Sequence, residues 1–156
     1  MKKTIFINTL ILFGAIAVNY KKRRELDYCR QKVDKALREM KLFEQWLLVK
    51  QDGKQISDYF QKKAINTIAI YGMGNIGERL YDELKDQNGI VKYAVDQKGK
   101  RICSEIEVHP GVDIGRMEKV DAIVVTTVHC FEEVKKNISE MTDIPVLSLE
   151  EILYEM

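Results

Sequence analysis

The 156-residue chain predicts an α/β fold: a small parallel sheet with helices on both faces, preceded by a long N-terminal helical extension. Three observations carry that expectation. From Ala64 onward, short apolar runs rich in β-branched residues alternate with helical patterns, the order that builds a parallel sheet by right-handed crossovers. One such run, Ile68 to Tyr71, leads directly into Gly72-Met73-Gly74-Asn75-Ile76-Gly77, and an amphipathic helix pattern follows at once. Residues 21 to 51 hold no glycine or proline and are highly charged, with apolar residues recurring every three and four positions.

Taken in chain order, the sequence divides into an apolar segment (1–20), a charged heptad-patterned helix (21–52), a linker (53–63) and the α/β domain (64–156). Lys2 and Lys3 precede an apolar run from Thr4 to Val18, and Lys21-Lys22-Arg23-Arg24 follows. Three readings fit this segment. It resembles a secretory signal, with Ala15-Ile16-Ala17 as the cleavage site. As a membrane anchor, fifteen residues rise roughly 22 Å as a helix, and extension to Tyr20 reaches the short end of the spanning range. The basic cluster would then hold the following domain on the cytoplasmic, inner face of the membrane. The third reading is an apolar element buried within this subunit or a partner.

In residues 21 to 51, Leu26, Cys29, Val33, Ala36, Met40, Phe43 and Leu47 are spaced 3, 4, 3, 4, 3, 4. That is the seam of a coiled coil over about three heptads. It could pair two chains as a homodimer, in parallel, or lie against the domain. Phe43, Trp46, Leu47 and Leu48 thicken the apolar face near the end and favour docking there. Gly53 suits a left-handed helix cap, and one helical turn is expected around Ile56 to Phe60.

Within the domain, the first strand is predicted at Thr67 to Tyr71 and the first helix at Ile76 to Lys85. Asn88-Gly89 marks a turn, Ile90 to Val95 a second strand, and Gln97 to Lys100 a polar loop. A short strand around Ile106 to Val108 is closed by Pro110, and Gly111 to Lys119 reads as irregular or a single helical turn. Asp121 to Thr127 is the clearest buried strand, near-continuously apolar and β-branched. Cys130 to Met141 reads as a helix, Pro145 to Leu147 as a last strand and Leu149 to Tyr154 as a terminal helix.

The glycine loop carries the chemistry. Gly72 lets the chain turn out of the strand, Gly74 lets a pyrophosphate approach the backbone, and Gly77 lets helix and strand pack closely. The N–H groups of Met73, Asn75 and Ile76 and the helix N-terminus favour a phosphate. Asp96 lies 22 positions beyond Gly74, at the end of the second strand. Its carboxylate would accept hydrogen bonds from a ribose diol and repel a 2′-phosphate, favouring NAD over NADP. Lys98, Lys100 and Arg101 blur that preference. The same loop would serve a turn with no ligand. Sheets of this kind bind ligands at the carboxyl ends of their strands, which adds Thr126, Thr127 and His129 to the cleft. The threonines could contact phosphate or ribose, and His129 is the one weak catalytic candidate, for proton transfer. Equally, Thr127 could cap a helix and His129 be an exposed first-turn residue. Asp82 and Glu83 read as a solvated helix face.

Composition excludes several classes. The net charge is +1, which leaves no global field for nucleic acid. Cys29, Cys103 and Cys130 are far apart and odd in number, and read as free thiols. Two histidines, His109 and His129, exclude a His-rich metal site.

From Lys41 onward the chain resembles small bacterial Rossmann-fold NAD(P)-binding domains, the nucleoside-diphosphate-sugar epimerase-like group associated with surface polysaccharide synthesis. The resemblance rests on Phe43 to Leu47 ahead of Gly53-Lys54, Ile68 to Gly77, Tyr93-Ala94-Val95-Asp96, Asp121 to Thr126 and Ile144 to Ile152. It implies a Rossmann-like sheet, a nicotinamide dinucleotide or nucleotide-sugar ligand, and a glycosyltransferase or nucleotide-sugar enzyme as partner. The Tyr-x-x-x-Lys pair of short-chain epimerases does not occur after Asp96. The expected function is therefore a nucleotide-binding module, accessory and membrane-tethered. The alternatives are a small NAD-dependent enzyme, or the cofactor half of one, and a ligand-free structural partner of a glycosyltransferase.

Overall fold

A computed structural model of the chain describes residues 2–87, 89–97 and 105–156, without the side chains of residues 2–17 and 112. Asn88, Lys98, Lys100, Arg101 and Cys103, and the side chains of most of the apolar N-terminal run, lie outside that description. Among the described residues, no helix is long and apolar enough to cross a membrane. The chain falls into two compact units, Met1–Leu37 and Arg38–Met156.

Helix α1 covers Lys2–Gln51. Within the first unit its described side chains, from Val18 on, are exposed, and the Lys32 ammonium lies 4.5 Å from the centre of the Tyr28 ring one turn earlier. Within the second unit, α1 buries Leu42, Trp46 and Val49, a stripe spaced for one helical face. This differs from the expected docking face: Trp46 docks, while Phe43, Leu47 and Leu48 stay exposed. Gly53 ends the helix with φ 75.

The second unit is an α/β Rossmann-like domain. Helix α2 (Ile56–Lys62) precedes β1 (Ile68–Tyr71), α3 (Asn75–Leu84), β2 (Val91–Asp96), β3 (Val108–Pro110), β4 (Ala122–Val125), α4 (Phe131–Ser139), β5 (Val146–Ser148) and α5 (Leu149–Glu155). The strands form one sheet in the order β3-β2-β1-β4-β5, every neighbouring pair parallel. β1 and β4 are buried at every position, as continuous apolar runs require when helices cover both faces. Alternate residues sort to opposite faces. Ile68, Ile70, Ala94, Ala122 and Val124 pack with the end of α1, α2, α3 and α5. Ala69, Tyr71, Tyr93, Val95, Ile123 and Val125 pack with Ile114, Val134 and Ile138 on the other side.

The fringes depart from the sequence reading. β3 runs through Pro110, which pairs with Asp96 at the sheet edge, where a missing N–H costs no ladder bond. Gly111–Arg116 forms a short 3₁₀ helix, within the stretch expected to be irregular or a single helical turn. The helix expected from Cys130 is a 3₁₀ turn, Val128–Cys130, followed by α4.

Glu83 is not part of a solvated face. Its side chain is 11% exposed and accepts hydrogen bonds from Trp46 Nε1 at 2.8 Å and Ile56 N at 2.9 Å, with Lys50 Nζ closing the cluster. One carboxylate thus joins α1, α2 and α3. Asp82, next to it, does face solvent and pairs with Arg79 and Lys85.

Candidate functional site

The central strand β1 delivers the chain to Gly72, whose N–H donates to Val95 O at 2.8 Å. Gly72 has φ 100, a left-handed backbone that side-chain-bearing residues avoid. A Cβ there would also stand 2.8 Å from Thr126 Oγ1 and 2.9 Å from Thr127 Cγ2. The turn therefore needs glycine on two counts.

Gly77 sits in the first turn of α3. A Cβ at this position would lie 2.1 Å from the backbone oxygen of Gly72, so the helix can approach the loop only without a side chain. Gly74 is different. It is exposed, it occupies the position just before α3, no side chain caps the helix there, and a Cβ would meet nothing within 4 Å. Two glycines are required by the fold, while the third opens space in front of a helix N-terminus. Asn75 is exposed beside Gly74, and Met73 and Ile76 are buried on either side.

Side chains from the ends of two other strands hold the loop. Asp96 Oδ2, at the end of β2, accepts a hydrogen bond from Met73 N at 3.0 Å. Thr126, just after β4, is buried, and its hydroxyl donates to Gly72 O at 2.6 Å and lies 3.2 Å from Tyr71 O. Thr126 N donates in turn to Tyr71 O at 3.0 Å. The first task of these two polar groups is to fix the turn. Asp96 therefore anchors the loop from the end of the neighbouring strand.

Thr127 precedes the 3₁₀ turn without a side-chain capping bond, and its Oγ1 is buried with no hydrogen-bond partner among the described residues. A buried unpaired hydroxyl is costly. The sequence offers Thr127 as a phosphate or ribose contact or as a helix cap; the side-chain capping bond is not formed. His129 is exposed in the 3₁₀ turn. Cys130 Sγ leans 3.7 Å from Thr127 O and packs against the sheet cluster that holds Ile123 and Val134. Among the described residues there is no cluster of side chains that could hold a metal ion.

The fold thus brings Gly72, Met73, Gly74, Asn75, Ile76, Gly77, Asp96, Thr126 and Thr127 to one end of the sheet, around the β1–α3 turn. The space a Cβ would fill at Gly74 is open, in front of the uncapped start of α3.

No protein-family model matches the chain, and no curated protein matches it. Among solved structures, the chain is similar to the NADPH-dependent glyoxylate/hydroxypyruvate reductase of Sinorhizobium meliloti in its apo form, with a TM-score of 0.34 and 16% identity. The match covers 55% of this chain and 38% of that one, so the chain spans well under half the length of the reductase. A likeness of that size carries no argument about ligand or reaction.

Proposed function

We propose that the second unit is a nucleotide-binding module that takes a dinucleotide of the NAD type, and that binding, with no turnover by this chain alone, is its function. The pyrophosphate would lie against Gly74, on the N–H groups at the start of α3. The Asp96 carboxylate, at the end of β2 beside the loop, would accept the adenosine ribose hydroxyls, and its charge disfavours a 2′-phosphate. The observation that carries this reading is the contrast within the loop. Gly77 and Gly72 are needed for packing and turning, whereas Gly74 is surrounded by open space. A glycine that no protein neighbour requires is accounted for by a ligand that approaches the backbone. The engagement of Asp96 and Thr126 with the loop itself favours a role in holding a bound group over one in moving protons.

Calorimetry with NAD, NADH, NADPH and a UDP-sugar tests the proposal, with Gly74→Val as control. The valine side chain would stand where the pyrophosphate sits, and its Cβ would have no protein atom within 4 Å. The expected outcome is NAD or NADH binding that the variant loses while its melting temperature stays at the wild-type value. A well-folded chain that binds none of the four would overturn the reading. Preference for the UDP-sugar would move the ligand class from cofactor to nucleotide-sugar.

A further inference from the structure

A second apolar stripe runs along α1 beside the one that docks. Leu26, Cys29, Val33 and Ala36 are exposed in the first unit, and Met40, Phe43 and Leu47 in the second. The exposures are large: 56% for Val33, 58% for Met40 and 57% for Leu47. Docking uses Leu42, Trp46 and Val49, which fall on neighbouring heptad columns, so the seam is left uncovered among the described residues. Its repeat of three and four is that of a helix covered by another helix.

The flanking charges select the partner and its direction, because the positions beside a coiled-coil seam form ion pairs that set orientation. With Leu26, Val33, Met40 and Leu47 as the a column and Cys29, Ala36 and Phe43 as the d column, the g column holds Glu25, Lys32, Glu39 and the docked Trp46. The e column holds Arg23, Arg30, Leu37 and Glu44. In a parallel pair of identical helices each g residue faces the e residue five positions on. Glu25 would then meet Arg30 of the second copy, but Glu39 would meet Glu44. Alanine would also stack on alanine at 36, and phenylalanine on phenylalanine at 43.

Antiparallel pairing resolves both conflicts. Each a residue faces a d residue: Leu26 faces Phe43 of the second copy, Cys29 faces Met40, and Val33 faces Ala36. Small side chains now oppose larger ones. In the same register g faces g and e faces e, which brings Lys32 to Glu39 and Arg23 to Glu44, each pair twice by symmetry. No like charges meet among these positions. We propose that α1 pairs with α1 of a second copy of this chain, antiparallel, over residues 23–44.

The test uses the full chain with Cys103→Ser and Cys130→Ser, followed by sedimentation equilibrium. A dimer is expected. Glu39→Lys should weaken it roughly fivefold, because two attractive pairs become repulsive, and adding Lys32→Glu should restore it. In a parallel dimer Glu39→Lys would instead tighten association, since it would face Glu44. Oxidation supplies an independent readout. The two Cys29 residues of an antiparallel pair lie roughly 16 Å apart along the axis, too far for a disulfide, whereas Met40→Cys places a thiol opposite Cys29. Covalent dimer only with Met40→Cys supports the proposal. A chain that stays monomeric near ~100 μM, a dimer untouched by Val33→Asp, tightening by Glu39→Lys, or Cys29-to-Cys29 cross-linking would each overturn it.

Discussion

Single residues at turns decide where this backbone can go. Ala64, two residues after α2, is the one described non-glycine residue with positive φ, at 54. It closes a helix cap in which Ile65 N donates to Phe60 O at 2.9 Å. A left-handed alanine costs about 1–2 kcal/mol, and glycine returns part of that as unfolded-chain entropy. Ala64→Gly should therefore stabilise the chain by about 0.5 kcal/mol, read as a higher urea midpoint; a lower midpoint would mean that the cap tolerates alanine without strain. Gly77→Ala acts in the opposite direction. Its Cβ would meet a backbone oxygen at 2.1 Å, which no side-chain rotation relieves, so a loss of about 3 kcal/mol is expected. An unchanged midpoint would mean that loop and helix can separate cheaply. The glycine spacing was legible in the sequence because each glycine answers a different steric demand. The bond from Met73 N to Asp96 and the double use of the Thr126 hydroxyl were not, because they join three strand ends that are distant in the chain.

At the scale of elements, β1 and β4 are tied at their starts by one carboxylate. Asp121 Oδ2 accepts from Asn66 N at 2.8 Å, Thr67 N at 2.9 Å and Thr67 Oγ1 at 3.1 Å. The backbone N–H of Asn66, and then that of Thr67, hold the Asp121 carboxyl below the ordinary aspartate value of 3.8. A folded pKa below the unfolded one means stabilisation that is fully present above the unfolded value and lost as pH falls through the folded one. Asp121→Asn should accordingly lower the melting temperature most at neutral pH, with the gap to wild type closing as pH falls below the ordinary aspartate value of 3.8. Melts recorded by circular dichroism from pH 7 to 2 check this; a gap independent of pH would remove the charge from the account. Strands were the most legible elements, since Ile68–Tyr71 and Ala122–Val125 are apolar at every position, as a sheet covered on both faces demands. The edge was least legible. β3 holds only three residues, one of them proline, and its pairing to β2 creates a strand that its own composition does not announce.

For the molecule as a whole, the layered sheet could be read from the order of its patterns, but the use of α1 could not. Two apolar stripes share that helix, and periodicity ranks the longer one first. The sheet side instead takes Leu42, Trp46 and Val49, a choice settled by Glu83, whose partners Trp46, Lys50 and Ile56 lie 27 to 37 positions earlier in the chain. Glu83 looked solvated in sequence for the same reason: nothing near it in the chain pairs with it. Trp46 is the single tryptophan of the protein, and its indole is both buried and hydrogen-bonded to that carboxylate. The chain thus carries a built-in optical reporter at one joint only. Its ultraviolet emission registers whether the end of α1 is seated on the sheet domain, and a shift to longer wavelength under mild denaturant, ahead of the loss of far-ultraviolet signal, would time the release of the helix separately from the melting of the strands.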